Sequence, residues 1–259
     1  MAGEKHAQNK PRRAKHAQNL QALSLSLSEA VYLRFPWHLL TPLGTSHRMW
    51  SAPQVIRPRL IKWLAAFCAL ECVDAADGVP IVSLGAHHVH PSVVGVMDYS
   101  AVTGGASSCS SVLGARLAGV TASGTMAATL VIIMGDTRSA VEAFDRNMPP
   151  EVQRVAVVGT IGDEAIEAIE VSRMLRDRLR GVRLETAQTR GGVTPDLVHE
   201  LRARLDQAGY NHVDIFVSGD LDPEKIQAFT DERAPVAAFG IGFHIGAARP
   251  IKFQSKIKE

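Results

Sequence analysis

The feature that most constrains the fold is a regular alternation of strand and helix patterns in the second half of the chain. Apolar runs at residues 155–158, 182–184, 213–217 and 236–239 are typical of buried strands. They recur about every 25 to 30 residues, with helical patterns between them, as right-handed βαβ units do. The alternation predicts an α/β fold with a parallel sheet, and either a barrel or an open doubly wound sheet is compatible with it.

The segments between these strands carry the signals of helices. Thr194, followed by proline, is typical of a helix start, and Asp222, also followed by proline, is typical of another. The helix after the first strand is predicted from apolar or small side chains on one face at Ala165, Ile169, Ser172, Leu175 and Leu179.

The residues that follow the last two strands favour the barrel. The strand at 213–217 runs into Ser218, Gly219 and Asp220, and the strand at 236–239 runs into Gly240 and Gly242. In α/β barrels a phosphate often binds in the loops after the last two strands. Small residues there let backbone N–H groups approach phosphate oxygens closely.

Composition and charge narrow the class of protein. No apolar run approaches the length of a membrane-spanning helix. Three cysteines give neither a disulfide framework nor a paired Cys-x-x-Cys metal site, and reduced thiols indicate a cytoplasmic protein. The net charge is +4 over the first 20 residues and −2 over the rest, so the body of the chain is not expected to bind nucleic acid or a membrane.

The sequence suggests three regions. Residues 1–57 lack clear periodicity and are predicted to form an irregular or disordered segment. Residues 58–249 are predicted to form the barrel domain, which opens with a helix that ends at Asp77-Gly78. Residues 250–259 are expected to form a strand that returns toward the N-terminal region.

Several short motifs resemble those of nicotinate phosphoribosyltransferases, and most closely those of the shorter bacterial and archaeal branch. They are Gly181-Val-Arg-Leu-Glu-Thr186, Phe216-Val-Ser-Gly-Asp-Leu221 and Phe239-Gly-Ile-Gly242. Upstream motifs also fit, namely Gly85-Ala-His-His-Val-His-Pro91, Asp98, Thr103-Gly-Gly105, Leu113-Gly114 with Gly119, and Gly124-Thr-Met126. The resemblance runs in unbroken order over residues 80–258.

The resemblance implies a fold and a reaction. Family members have an incomplete (β/α) barrel of the type II phosphoribosyltransferase kind, packed against an N-terminal sandwich of which this chain carries a remnant at most. They join nicotinate and 5-phosphoribosyl-1-pyrophosphate to give nicotinate mononucleotide and pyrophosphate, a step of NAD salvage. The reaction uses Mg²⁺ with the phosphoribosyl pyrophosphate and is usually coupled to ATP hydrolysis. Family members work as dimers, so a homo-oligomer is expected.

The resemblance also implies roles for particular residues. Glu185 takes the place of an aspartate that touches the ribose hydroxyls, and Arg183 would face nicotinate and its carboxylate. The 5′-phosphate would bind at Ser218, Gly219, Asp220, Gly240 and Gly242. Further substrate contacts are expected from His87, His88, Thr103 and Thr160.

Four departures from the family pattern leave an alternative open. His87 stands where an arginine is usual, Ala128 replaces the histidine that is phosphorylated during ATP coupling, Gly159 replaces an aspartate, and Phe243 interrupts a Gly-x-Gly-Thr pattern. These changes predict reduced or uncoupled turnover, which His87→Arg with Gly159→Asp should raise. The alternative is a non-catalytic homologue that binds a phosphorylated sugar or a partner subunit. A weaker alternative is the quinolinate phosphoribosyltransferase reaction.

Other reactive side chains receive structural interpretations. Asp163, Glu164, Glu167 and Glu170 are predicted to lie on a solvated helix face. His199, His212 and His244 show no ligand partner at helical spacing, so no zinc site is expected. Cys109 has no adjacent base, which argues against a nucleophile, and His90 before proline is interpreted as a loop cap.

Overall fold

The computed structural model describes the backbone of residues 52–246 and the side chains of residues 64–246. Helices and strands alternate from residue 81 onward, except that three helices lie between the second and third strands. The helices are α1 (Ala52–Ala76), α2 (Pro91–Thr103), α3 (Val112–Ala118), α4 (Ala128–Met134), α5 (Thr137–Asn147), α6 (Glu164–Leu175), α7 (Pro195–Gln207), α8 (Pro223–Asp231) and α9 (Phe243–Gly246). The strands are β1 (Ile81–Ser83), β2 (Ser108–Cys109), β3 (Arg154–Val158), β4 (Leu179–Leu184), β5 (Asp214–Gly219) and β6 (Ala238–Ile241).

The six described strands form one parallel sheet in the order β2-β1-β6-β5-β4-β3. Its core consists of aliphatic side chains on the strands packed against the helices, and every residue of β3 is buried. Because all strands are parallel, their carboxyl ends lie at one edge, called here the carboxyl edge of the sheet. The predicted α/β class with a parallel sheet is confirmed.

The sheet is an incomplete barrel. Among the described strands, β2 and β3 lie at the two ends of the order and do not pair with each other. Residues 121–127 partly bridge the gap between them, because Ser123 N donates to Cys109 O at 2.9 Å and Met126 N donates to Val155 O at 3.2 Å. This segment therefore brings the chain between β2 and β3 close to both edges without forming a seventh strand.

Side-chain caps begin the helices where the sequence predicts. The Thr194 hydroxyl accepts from Leu197 N, and the Asp222 carboxylate accepts from Lys225 N. Asp163 caps α6 by accepting from the backbone N–H groups of Ala165 and Ile166. Each cap satisfies an N–H group of the first helical turn that has no partner within the helix.

The sequence prediction differs from the structure at several element boundaries. Helix α1 begins at Ala52, six residues before the predicted boundary of the barrel domain. Helix α6 ends at Leu175 because Arg176 takes a positive φ of 51°, and Leu179, predicted to lie on the helix, starts β4 instead. Helices α2, α3 and α5 were not predicted, and the predicted irregular residues 1–51 and the strand 250–259 lie outside the described residues. No helix of the described part is long and apolar enough to cross a membrane.

Two short helices present apolar side chains to solvent. Leu113 and Leu117 are exposed on α3, and Ile132 and Ile133 are exposed on α4, with Ile133 reaching 78%. Exposed apolar surface of this kind marks protein–protein contacts more often than isolated side chains do. We predict that the chain self-associates. Light scattering at micromolar concentration should give more than the monomer mass, and a monomer would contradict the prediction.

Candidate active site

Strand β4 places Arg183 and Glu185 on the same side of the sheet. Successive side chains of a strand alternate between faces, so Arg183 shares its face with Gly181 and with Glu185, which follows the strand. Val182 and Leu184 point the other way into the core. The sequence order of small, cationic and acidic residues therefore gives an ion pair that is separate from the aliphatic core.

Arg183 is buried, and its neighbours accept hydrogen bonds from only part of its guanidinium. Its Nη2 lies 2.6 Å from Glu185 Oε2 and donates to Met126 O at 3.4 Å. Its Nε is buried without a hydrogen-bond partner in the described part of the chain. Burial lowers the pKa of Arg183 from its ordinary value, and Glu185 opposes that shift. A buried guanidinium with an unused N–H can accommodate a planar anion.

The ends of β5 and β6 carry small residues, of which Gly219 is exposed. Ser218 pairs in register with Gly240, and Gly219 pairs with Ile241. Gly219 has a φ of 116°, which only glycine adopts readily. At Gly240 a side chain has no room, because a Cβ there would lie 2.6 Å from Leu84 Cδ1. The pairing thus brings together three of the residues implied in phosphate binding, Ser218, Gly219 and Gly240. Gly242, also implied, follows directly after β6.

His88 joins this group from the loop after β1. A Cβ on Gly242 would lie 2.9 Å from His88 Nε2, so the histidine ring approaches the β6 loop closely. The ring of Phe243 meets the His88 ring edge-on, with centroids 5.6 Å apart. His87 and His88 form one short 3-10 turn, residues Gly85–His88, and both side chains are exposed.

The loop after β3 is held by carboxylates that the sequence analysis assigned to solvent. Glu167 accepts hydrogen bonds from Gly159 N at 2.7 Å and from Gly162 N at 3.1 Å. Its Oε1 also accepts from the Thr137 hydroxyl at 2.8 Å. Within the same loop the Thr160 hydroxyl is buried and lacks a hydrogen-bond partner among the described residues.

Glu164 and Arg190 complete that support and were missed by the sequence analysis. Glu164, predicted to be solvated, is only 8% exposed and accepts from Thr186 Oγ1 at 2.7 Å. Arg190 donates to Gly159 O and Gly162 O and lies 3.2 Å from Glu164 Oε1. The prediction of a solvated position was therefore wrong for Glu164 and Glu167. Glu167 accepts from backbone N–H groups of the loop after β3, and Glu164 pairs with Arg190 from the loop after β4. Glu170 is exposed as predicted.

Thr103 does not join the other predicted site residues. It ends α2, and its hydroxyl donates to Tyr99 O one turn earlier. The chain then turns through Gly104 and Gly105 to Ser107, whose N–H donates to Ile81 O at the start of β1. Thr103 therefore lies toward the amino ends of the strands, away from the other residues predicted for the substrate site.

The remaining candidates have structural roles or lie elsewhere. His90 has a structural role, but it caps helix α2 through Ser92 N rather than a loop. Burial raises the pKa of the Cys109 thiol to about 11, which disfavours a thiolate nucleophile. A cavity of about 850 Å³ lies at the amino ends of β3 and β4, where Arg154 is saturated by Asp145 and backbone carbonyls. That cavity is separate from the carboxyl edge.

Comparisons with known proteins agree with this geometry. Residues 65–256 match the family model of the quinolinate phosphoribosyl transferase C-terminal domain. A nicotinate phosphoribosyltransferase of Mycobacterium tuberculosis is 33% identical over 184 residues, which is 70% of this chain and 38% of that relative. The chain thus spans about two fifths of the length of this curated relative.

Solved structures share the architecture. A nicotinate-nucleotide pyrophosphorylase from Pyrococcus furiosus has a TM-score of 0.68 and 39% identity, with 73% of this chain and 48% of that chain covered. A protein from Saccharomyces cerevisiae described as a nicotinate phosphoribosyltransferase has a TM-score of 0.56 at 17% identity, with 72% and 49% covered, and shows the fold alone. The family model covers 192 residues, and the incomplete barrel agrees with it. The chain therefore belongs to the phosphoribosyltransferase family that is defined by the quinolinate phosphoribosyl transferase C-terminal domain.

Proposed function

We propose that the chain binds 5-phosphoribosyl-1-pyrophosphate at the carboxyl edge of its sheet and transfers the phosphoribosyl group to nicotinate. The observation that carries the proposal is the ion pair between buried Arg183 and half-buried Glu185, in which Arg183 Nε has no partner in the described part of the chain. The pair lies at the end of β4, which is next to β5 and two strands from β6 in the sheet. The site therefore offers a cation for a carboxylate, an acceptor for hydroxyls and exposed backbone for a phosphate.

Arg183 would hold the nicotinate carboxylate. Its guanidinium supplies planar N–H donors, and in a buried setting each is worth more than in water. Glu185 already accepts a hydrogen bond from Nη2 at 2.6 Å. The Nε–H and the other free N–H groups of the guanidinium are left for the substrate carboxylate. The pyridine ring nitrogen attacks the anomeric carbon of the ribose, forming the C–N bond as the bond to pyrophosphate breaks.

Glu185 would stabilise the ribose during that displacement. The transition state places positive charge on the ribose ring, and a nearby carboxylate favours it electrostatically. Glu185 is half-buried and anchored by Arg183, so its position is fixed before the substrate arrives. Preorganised charges of this kind require no reorganisation during the reaction.

The 5′-phosphate would bind where β5 and β6 end. Gly219 is exposed there and has the positive φ that such loops use, and Gly242 is half-buried, whereas Ser218 and Gly240 are buried in the paired strands. Asp220 contributes through its backbone, because its carboxylate would repel a phosphate. His88 stands against Gly242 and can donate one hydrogen bond at this place.

Mg²⁺ is expected to arrive with the pyrophosphate. Mg²⁺ prefers oxygen ligands and is usually held by one or two carboxylates together with substrate phosphates. Asp220 fits this chemistry, because its exposed side chain follows β5 at the carboxyl edge. When bound, the ion would neutralise charge on the leaving pyrophosphate.

ATP coupling is not part of the proposal. Ala128 occupies the first turn of α4, half-buried, where the resemblance implies a phosphorylated histidine. A methyl group cannot accept a phosphoryl group. The expected reaction therefore joins phosphoribosyl pyrophosphate and nicotinate without ATP hydrolysis.

A second candidate function is binding of a phosphorylated sugar without turnover. It is favoured by the loop after β3, where Gly159 supplies no carboxylate and its surroundings are filled by Glu164 and Thr186.

The family model also names quinolinate, which carries two carboxylates. Arg183 is the buried cation at the carboxyl edge, and one guanidinium suits a single carboxylate better than two.

Calorimetric titration separates these functions. The chain is titrated with phosphoribosyl pyrophosphate and Mg²⁺, and nicotinate or quinolinate is then added. The proposal predicts saturable binding followed by heat of turnover with nicotinate. Binding without turnover would support the sugar-binding function, turnover with quinolinate alone would reverse the substrate assignment, and absence of binding would contradict both.

A further inference from the structure

Three side chains with metal-binding atoms meet on the outer side of the barrel, apart from Arg183 and Glu185. Cys68 and Glu71 lie one turn apart on α1, and His244 lies on α9, just after β6. The sulfur, a carboxylate oxygen and a ring nitrogen of these residues all lie within 4.8 Å of one another. Cys68 is buried, and Glu71 and His244 are half-buried.

The ring nitrogen of His244 lacks a conventional partner. Nε2 is buried and has no hydrogen bond within residues 64–246. Glu71 Oε2 lies 3.7 Å from it, which is beyond hydrogen-bonding distance. Buried polar atoms are nearly always satisfied, so this nitrogen indicates a missing partner between Glu71 and Cys68.

We propose that Cys68, Glu71 and His244 bind a zinc ion. Sulfur, imidazole nitrogen and carboxylate oxygen are the three ligand types that zinc takes in proteins, at bond lengths of about 2.0 to 2.3 Å. In a tetrahedral site with one sulfur such bonds separate the ligand atoms by about 3.3 to 3.6 Å. His244 Nε2 and Glu71 Oε2 lie 3.7 Å apart, slightly wider than that spacing. Water fills the fourth position.

The charges of the site balance. Burial and the neighbouring Glu71 raise the pKa of the Cys68 thiol to about 11, so the free thiol is protonated at neutral pH. Zinc binding releases that proton to solvent, as metal–thiolate bonds do. One thiolate, one carboxylate and a neutral imidazole then surround a divalent ion, which leaves no net charge in a half-buried place.

The ion would join α1 to the turn that follows β6. His244 is two residues beyond Gly242, which stands against His88 at the carboxyl edge. Zinc would therefore tie the first described helix to the end of the last described strand. The inference is independent of the proposed function, because none of its three ligands touches the Arg183–Glu185 pair in the structure.

Cobalt(II) titration of the full chain tests the site. A cobalt–thiolate bond gives a charge-transfer absorption that histidine-only binding, for example at His6 or His16, does not give. We expect this band in the wild type, its displacement by one equivalent of zinc, and its loss in Cys68→Ser. Glu71→Gln and His244→Gln, both at half-exposed positions, should weaken zinc binding by at least about tenfold.

The matched control is Cys72→Ser. Cys72 is buried on the same helix, one turn from Cys68, and lies outside the group of three ligands. The Cys72→Ser variant should keep the cobalt band. It should also keep the rise in Tm that zinc produces by binding the folded state. A wild type without the thiolate band, a band that survives Cys68→Ser, or full zinc affinity in both Glu71→Gln and His244→Gln would overturn the proposal.

Discussion

Arg183→Lys is expected to reduce kcat/KM for nicotinate by about 10²- to 10³-fold, the effect of removing one preorganised donor from a buried site. Lysine keeps the positive charge but loses the planar pair of N–H donors. It also lacks the Nε–H, which has no partner in the described part of the chain and is proposed to face the substrate. Steady-state rates of nicotinate mononucleotide formation measure the effect, and the KM for nicotinate should rise.

Arg180→Lys is the matched control for this variant. Arg180 lies on the same strand, faces the opposite side and pairs with Asp214 at 2.6 Å. Its side chain is more than half exposed, so the substitution should leave kcat/KM within about twofold, as exposed ion pairs contribute little. Equal losses in Arg180→Lys and Arg183→Lys would show that Arg183 acts through strand stability rather than through the substrate.

Gly159→Asp is expected to destabilise the chain rather than restore activity. Gly159 has a φ of 83°, and a Cβ there would lie 2.7 Å from Glu164 Cγ and 2.9 Å from Thr186 Oγ1. The backbone strain alone costs about 1–3 kcal/mol, and the new carboxylate would face Glu164 and Glu167. Thermal unfolding should show a Tm lower by about 3–10 °C. The sequence-based expectation that this change raises turnover therefore conflicts with the structure.

Gly124→Asp controls for the added charge. Nothing lies within 4 Å of the Cβ position at Gly124, and its φ is not positive. The Tm of this variant should stay within about 2 °C of the wild type, since exposed substitutions away from such features change stability little. A Gly159→Asp chain that is as stable as Gly124→Asp would mean that the loop after β3 rearranges freely.

Local patterns predicted the fold well. The valine-rich runs, the caps at Thr194 and Asp222 and the spacing of about 25 to 30 residues specify βαβ units, because strand and helix periodicities are local properties. The end of α6 was not predictable in this way. Arg176 has an ordinary side chain, and its positive φ follows from the turn into β4 rather than from its identity.

The candidate site was predictable only where neighbouring strands carry their own signals. Arg183 lies on β4 and Glu185 follows it two residues later, so the alternation of side chains already places them together. Glu164 and Arg190 are distant in sequence and meet through the loops after β3 and β4. An acidic residue in the first turn of a helix is usually solvated, and only the tertiary fold shows that this one is enclosed.

The group formed by Cys68, Glu71 and His244 illustrates the same limit. Cys68 and Glu71 share a helix, but His244 is more than 170 residues away along the chain. His244 has no ligand partner at helical spacing in the sequence, so no zinc site was predicted there. The pairing of β1 with β6 brings α1 and α9 together, and local spacing carries no information about that pairing.

The most direct test of the proposed function is detection of its product. The purified chain is incubated with nicotinate, phosphoribosyl pyrophosphate and Mg²⁺ without ATP, and nicotinate mononucleotide and pyrophosphate are quantified by chromatography. The proposal predicts equimolar products that depend on Arg183. Failure to form nicotinate mononucleotide in a folded chain that binds phosphoribosyl pyrophosphate would contradict it.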